Sequence, residues 1–551
     1  MSHLRRAAAT AGTTLAFLLL FLALAVPDQV SRLPEGSPWW ASVARLPIEA
    51  LLLVALLLAL QGRVRVVTAT VLGVLLGLLT VLKIINIGFF TVLARAFDPV
   101  LDWPLFADGY RFVRDSFGTA GVVAAIAGIV VLTAGVLAGM LAAVRRLAAV
   151  TARHERTARA TVLAGVAAWL VLALQGTSFA PTIYVAADSA ALLARDSVVS
   201  VPAAIRDQRA FTREAADDAF RDTPPAELLT GLRGKDVIVA VVESYGRSAV
   251  QDPALAGPVT AALTDGAAQL AADGYSARTG YLTSPTAGGG SWLAHSTFQS
   301  GVWIDNEQRY RSLVAGDRLT LTSAMRKTGA WRTIGMEPGI TYAWPEGRFY
   351  GFDKIYDSRT MGYEGPVLGW APVPDQFTLK AFTDNEYATP GRQPLAAEIS
   401  FVSSHTPWAP VPSLVGWDTL GDGSLYAAQA AAGSTAGEVW QDRDRIRAAY
   451  TESIVYSLQT LISWVRTYGD ENLVLVVYGD HQPAPVVVGE GASRDIPVTV
   501  VAHDQRVLDR ISGWGWTDGL LPDPQAPVWP MSDFRDRFLT AFGPTGAAPP
   551  R

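Results

Sequence analysis

The chain has 551 residues, half of them apolar and 17% charged, with a formal net charge of -5 and no cysteine. Soluble domains carry about 25% charged residues, so apolar sequence is concentrated somewhere in this chain. The composition excludes a disordered protein, which needs low hydrophobicity, and a nucleic-acid binder, which needs a basic surface. It also excludes disulfide scaffolds, thiolate metal sites and cysteine nucleophiles.

The apolar excess lies in the first third. Five stretches, near 7–26, 46–60, 66–89, 120–144 and 160–179, are candidates for crossing a bilayer core, which takes about 20 apolar residues. The second is the shortest and carries Glu49. Arg5 and Arg6 precede the first stretch, Arg63 and Arg65 separate the second from the third, and Arg145, Arg146, Arg153, Arg156 and Arg159 fill the loop before the fifth. Positive loops stay cytoplasmic, which predicts an internal amino terminus and an external remainder beyond residue 179. The loop 90–117 mixes Trp103, Tyr110 and Phe112 with Arg95, Arg111 and Arg114; an interfacial amphipathic segment and a solvated outer loop both fit it. Lys83 is expected to snorkel to the interface.

The organisation expected is a transmembrane domain over 1–180, juxtamembrane linker helices over 181–233 and an α/β domain over 234–545. In the last, β-branched runs at 236–243, 331–336, 396–403, 473–478 and 496–502 are unalternated, as in strands buried on both faces of a mostly parallel sheet flanked by helices. A long helical pattern at 439–468 precedes the fourth of these.

The strand ends carry the chemistry. The first run ends in Glu243-Ser244, the third in Ser403-Ser404-His405 and the fourth in Gly479-Asp480-His481. Ligands of open α/β sheets bind at the carboxyl ends of strands, so a glutamate, a histidine and an Asp-His pair converge on one edge. Each alone is better read as a cap or an ion-pair partner, but their coincidence at equivalent strand ends points to a divalent cation. Between them runs Ser284-Pro285-Thr286-Ala287-Gly288-Gly289-Gly290-Ser291, a glycine-rich turn opening a helix, where phosphate can approach backbone N–H groups. Ser291 is either that helix's N-cap or a nucleophile, and Thr286 is a second nucleophile candidate.

These motifs together resemble the lipoteichoic acid synthase-type phosphoglycerol transferases of the alkaline phosphatase/sulfatase superfamily. VIVAVVESYG, YGDHQP and SSHTPW are similar to its metal-binding first strand, its GDH motif and its S-H-x-P segment. The resemblance implies five membrane spans joined to an extracytoplasmic sulfatase-like domain in a bacterial cell membrane. It implies Glu243, Ser291, Asp480 and His481 as ligands of one divalent ion, with Mn²⁺ favoured and Mg²⁺ or Zn²⁺ as alternatives. Ser291 and His405 become catalytic, and Trp344, Arg348 and His405 substrate-binding, Arg348 at a shifted spacing. Serine replaces the threonine usual at the nucleophile position. His295 has no counterpart in the pattern and is either structural or a phosphate contact. The sulfatase modification signal is missing, because Trp292-Leu293-Ala294-His295 follows Ser291, and the disulfide-braced phosphoethanolamine transferases are disfavoured by the absence of cysteine. The activity implied is transfer of a phospho-alcohol, phosphoglycerol first, from a phospholipid donor to a cell-envelope glycan or polymer through a phospho-serine. A metal-dependent phosphodiesterase, phosphatase or sulfatase-like hydrolase is the alternative, and an inactive lipid- or glycan-binding membrane protein is the second.

Overall fold

The computed structural model describes residues 2–27, 39–93, 95–99, 101–180, 183–187, 189–489 and 491–544. The expected boundaries at residues 181 and 545 fall outside them. Two compact units divide the chain, Met1–Arg206 and Asp207–Arg551.

In the first unit the helices are α1 (Ser2–Ala25), α2 (Ile48–Ala59), α3 (Gly62–Leu93), α4 (Leu105–Arg153) and α5 (Glu155–Leu174); α6 (Ser189–Ala216) runs across the division. Among the described residues, three helical segments are long and apolar enough to cross a membrane: Gly62–Leu93, Gly118–Arg153 and Glu155–Leu174. Thr10–Ala25 and Ile48–Ala59 are apolar but shorter. The reason is plain for α2: its 12 residues rise 1.5 Å each, well short of a hydrocarbon core about 30 Å thick. Helices α3 and α4 pack closely because Gly73 and Gly77 sit one turn apart. A Cβ on Gly73 would come within 2.8 Å of the Leu141 Cα, the small-residue device of membrane helix pairs.

Two expectations change here. Lys83 does not snorkel: it is buried, and its Nζ donates to the carbonyls of Ala23 and Val26 at 2.7 and 2.8 Å. A cation there complements the negative end of the α1 dipole and satisfies carbonyls left over by the helix. The 90–117 segment is not a plain loop either. Arg95 forms a two-pronged ion pair with Asp102, both contacts at 2.7 Å, and α4 begins at Leu105 and kinks at Gly118, whose φ is 66°.

The second unit is built on a nine-stranded sheet. Its strands are β1 (Asp236–Val242), β2 (Ser276–Thr283), β3 (Arg332–Glu337), β4 (Lys354–Asp357), β5 (Leu395–Phe401), β6 (Leu473–Gly479), β7 (Asp495–Ala502), β8 (Thr517–Asp518) and β9 (Val528–Pro530). The order is β8-β2-β7-β6-β1-β5-β3-β4, with β9 beside β2. From β6 to β4 every pairing is parallel. On the other side β7 is antiparallel to both β6 and β2, so the sheet is mixed. An unalternated run reports burial on both faces and says nothing of direction.

Both faces are covered. Ile238, Ala240 and Val242 of β1 pack with α7 (Ala256–Ala272) and α9 (Arg443–Tyr468), whereas Val237, Val239 and Val241 pack with α8 (Ser291–Ser300) and α10 (Asp533–Ala541). Each valine or isoleucine among them contributes about 1.5–3 kcal/mol on burial. Helix α8 is clamped by Phe298, stacked on Tyr478 at 3.9 Å and on Phe534 at 4.3 Å. That clamp fixes the helix start, and therefore Ser291, against the ends of β1 and β6.

Candidate metal centre

Parallel strands β1 and β6 are direct neighbours in register, with Val242 opposite Gly479. The next residues, Glu243 and Asp480-His481, therefore leave the sheet side by side. Glycine is required at 479, because a Cβ there would lie 1.8 Å from the Tyr245 carbonyl oxygen. All three side chains are buried, and a ligand atom from each lies within 4.8 Å of the others. His481 Nε2 is 3.4 Å from Glu243 Oε1 and 3.5 Å from Asp480 Oδ2. His481 Nδ1 is 2.8 Å from the Gln482 carbonyl oxygen, which can only accept, so Nδ1 carries the hydrogen and Nε2 presents its lone pair to the centre.

The donor set fits a divalent cation. Asp480 Oδ1 accepts from the N–H groups of Ser244 and His481, each at 2.7 Å, whereas Oδ2 is buried with no hydrogen bond. A buried carboxylate oxygen without a partner is costly, and a cation among Glu243, Asp480 and His481 would satisfy it. Against the burial that raises it, the imidazoles of His481 and His405 hold the Glu243 carboxyl down, at about 2. Burial and the Glu243 charge push Asp480 up. Two adjoining buried carboxylates do not both carry a charge unless a proton or a cation offsets it.

Ser291 reaches the same point from α8. Gly288, Gly289 and Gly290 all have positive φ, 74°, 152° and 81°, a path closed to most residues. The N-cap position falls on Gly290 and makes no side-chain cap. Ser291 is the first helical residue, and its hydroxyl donates to Glu243 Oε2 at 2.9 Å, with His481 Nε2 at 3.3 Å. The N-cap alternative is therefore corrected, since the hydroxyl serves the centre and not its own helix. Thr286 is buried and donates to the Gly289 carbonyl, bracing the glycine turn from within.

His405 stands at the rim, close enough to lower the Glu243 pKa. Its loop is held by Asp375, whose Oδ1 accepts from Val402 and Ser403 N–H at 2.8 and 2.9 Å, and by Ser404 Oγ, which donates to the Glu243 carbonyl at 2.6 Å. Burial lowers the His405 pKa, opposed by Glu243. The ring stacks on Trp370 at 3.9 Å and 21°. Trp370 was not foreseen: a lone tryptophan in the loop before residue 375 carries no pattern.

Trp344 packs on Tyr350 at 5.4 Å, and Arg348 is exposed. Among the described residues neither hydrogen-bonds to Glu243, Ser291, Asp480 or His481.

No protein-family model and no curated protein matches the chain. Solved structures do. The lipoteichoic acid synthase LtaP from Listeria monocytogenes is 16% identical with a TM-score of 0.38, over 58% of this chain and 74% of that one. The Streptococcus pyogenes phosphoglycerol transferase GacH, solved with sn-glycerol-1-phosphate, is 11% identical with a TM-score of 0.34, over 61% and 90%. The C-terminal periplasmic domain of EcEptC from Escherichia coli, in complex with Zn, is 12% identical with a TM-score of 0.37, over 57% and 84%. A Vibrio parahaemolyticus protein described as being in the alkaline phosphatase superfamily is 15% identical with a TM-score of 0.33, over 54% of this chain and 69% of that one. At such identities and scores none of them assigns a role to a residue here, and the chemistry of the site rests on its own geometry.

Proposed function

We propose that the chain is a membrane-anchored, metal-dependent transferase that moves a phospho-alcohol group, phosphoglycerol in the first instance, from a phospholipid to a cell-envelope glycan or polymer. The observation that carries this reading is the Ser291 hydroxyl hydrogen-bonded to Glu243 Oε2 at 2.9 Å, at the edge of the buried Glu243–Asp480–His481 group. A serine so placed is a nucleophile held beside a cation site at a helix amino end, which favours a phosphodiester charge.

Glu243, Asp480, His481 and Ser291 would hold one divalent ion; two carboxylates, a hydroxyl and one imidazole favour Mn²⁺ over Zn²⁺. Such an ion supplies charge neutralisation for the phosphoryl oxygens and a lower pKa for a bound hydroxyl. The residues do the rest. Ser291 Oγ bonds to phosphorus while the bond to diacylglycerol breaks. His405 Nδ1 is 2.6 Å from the Thr406 carbonyl oxygen, so that nitrogen is occupied as a donor and Nε2 is the working atom. The negative charge of a bound phosphodiester favours the imidazolium, whose Nε2–H is given to the leaving oxygen. An acceptor hydroxyl then takes the group from the phospho-serine. Trp344 and Arg348, on the 341–350 segment, would bind the alcohol part of the donor.

In this reading the two shorter apolar helices also enter the bilayer, giving five spans with the amino terminus inside and residues beyond 179 outside. Residues 1–180 anchor, 181–233 connect and 234–545 catalyse. The anchor keeps the site near lipid headgroups and raises effective concentration. The test is product analysis of the full chain with labelled phosphatidylglycerol vesicles and a candidate glycan acceptor. Label on the glycan supports transfer, and free glycerol phosphate alone supports the hydrolase alternative.

A further inference from the structure

Beneath Ser291 the inner side of α8 carries His295 and Gln299, four residues apart along the helix, and they face the buried Glu398, which has a second buried glutamate, Glu337, as its neighbour. Glu398 stands in the middle of β5 and Glu337 ends the neighbouring β3, where Gly335 pairs with Glu398. Both carboxylates are less than a tenth exposed. Glu398 Oε2 accepts from Gln299 Nε2, and Oε1 is 3.6 Å from His295 Nδ1. Glu337 Oε2 accepts from Ser400 Oγ at 2.9 Å. Among the described residues neither meets a lysine or arginine. The hydroxyl of fully buried Tyr478, a neighbour of both glutamates, has no hydrogen bond.

Two carboxylates this deep without a basic partner cannot both be ionised. Burial pushes both up, Glu398 to about 7, and the Glu398 charge raises Glu337 further. The groups facing them are His295 from α8, Tyr478 from β6 and Tyr350 from the 347–350 helix. His295 itself is kept neutral by burial, at about 4, and feels both Glu243 and His481. It thus stands between the carboxylate pair and the metal centre.

We propose that Glu337, Glu398 and His295 form a buried proton store serving Ser291. This rests on the phospho-serine reading above. In an in-line displacement the nucleophile and the leaving group lie on opposite sides of phosphorus, so His405 on the leaving side does not serve the serine. When Ser291 Oγ bonds to phosphorus, its hydrogen bond to Glu243 Oε2 is given up and its proton passes to the store, which already holds one proton on two carboxylates and takes a second. His405 protonates the departing diacylglycerol oxygen. When the acceptor hydroxyl attacks, its proton restores His405, and the store returns its second proton to Ser291 Oγ as the seryl bond breaks. His295 is one helical turn from Ser291, about 5–6 Å between Cβ atoms on such a helix, a gap that one hydrogen-bonded water spans. His295, Glu398 and Glu337 are positioning residues, acting on the reaction through the serine.

The test is single-turnover formation of the Ser291 adduct by the full chain with phosphatidylglycerol vesicles, followed against pH, with bound metal measured alongside. Wild-type protein that forms no adduct overturns the phospho-serine reading before any variant is compared. With an adduct in hand, E398Q and E337Q are expected to slow its formation by about 10²-fold. They should also displace the acid limb of the rate profile, with metal content unchanged. Both variants keeping the wild-type rate and profile overturn the store. Should E398Q fail to fold, H295A with added imidazole decides: recovered adduct formation supports the store, and a slow reaction that imidazole does not rescue overturns it.

Discussion

Ser291 Oγ and Glu243 Oε2 lie 2.9 Å apart although 48 residues separate them in the chain. That contact joins the start of α8 to the end of β1 and makes the serine part of a carboxylate–imidazole group. The orphaned Asp480 Oδ2 is the matching feature just beyond β6.

If Asp480 Oδ2 is a cation ligand, D480N should bind metal more weakly while keeping the fold. The amide retains an oxygen for the Ser244 and His481 N–H groups and loses the charge. Titration of apo protein with Mn²⁺ should show affinity reduced by at least the roughly 10–100-fold that loss of an outer partner already costs.

The stack of Trp370 on His405 orients the imidazole. Such contacts are worth about 0.5–1.5 kcal/mol, so W370A should lower kcat by roughly tenfold with bound metal unchanged. Equal kcat for the variant and the parent protein would remove Trp370 from the site.

Stability should fall as pH rises through the weakly acidic range. Burial raises Glu398 from 4.5 to about 7 and Asp375 from 3.8 to about 6, so the folded chain keeps protons that the unfolded chain has given up. Their contribution is therefore greatest below the ordinary carboxylate range, is lost as pH climbs towards about 7, and is level above it. E398Q should flatten that decline by about 1–3 kcal/mol, read as the pH dependence of thermal melting of the full chain in detergent.

The absence of cysteine makes orientation easy to probe. With single cysteines introduced as T157C in the arginine-rich turn and S434C in the second unit, a membrane-impermeant maleimide applied to intact cells should label S434C and leave T157C unlabelled. The reverse pattern would invert the proposed topology.

Much of the candidate site was legible in the sequence because it is written in strands. The β-branched runs before Glu243, Ser403 and Asp480 are continuous, and continuous burial leaves few places for polar residues except the ends. Strand β2 escaped notice because Thr279 and Arg278 interrupt its apolar character; Thr279 is satisfied inside the sheet by Thr499 at 3.0 Å and the Gly519 carbonyl. The antiparallel direction of β7 leaves no trace in composition. The contact of Trp370 with His405 depends on how separate segments fold together, which no spacing reports. Glu398 did carry a signal: a glutamate in the run AAEISFVS must be partnered or protonated once the strand is buried. Lys83 shows the converse, since a basic residue inside one helix can cap the end of a neighbouring helix and need not reach water.

In the proposed reaction Ser291 becomes covalently bonded to the transferred group. Mass spectrometry of the peptide carrying Ser291, after incubation of the full chain with Mn²⁺ and phosphatidylglycerol vesicles, tests it most directly. A phosphoglycerol adduct is expected on Ser291 and absent from S291A, together with loss of transfer by that variant of at least about 10³-fold. Consumption of the lipid with Ser291 unmodified, or full transfer by S291A, would contradict it.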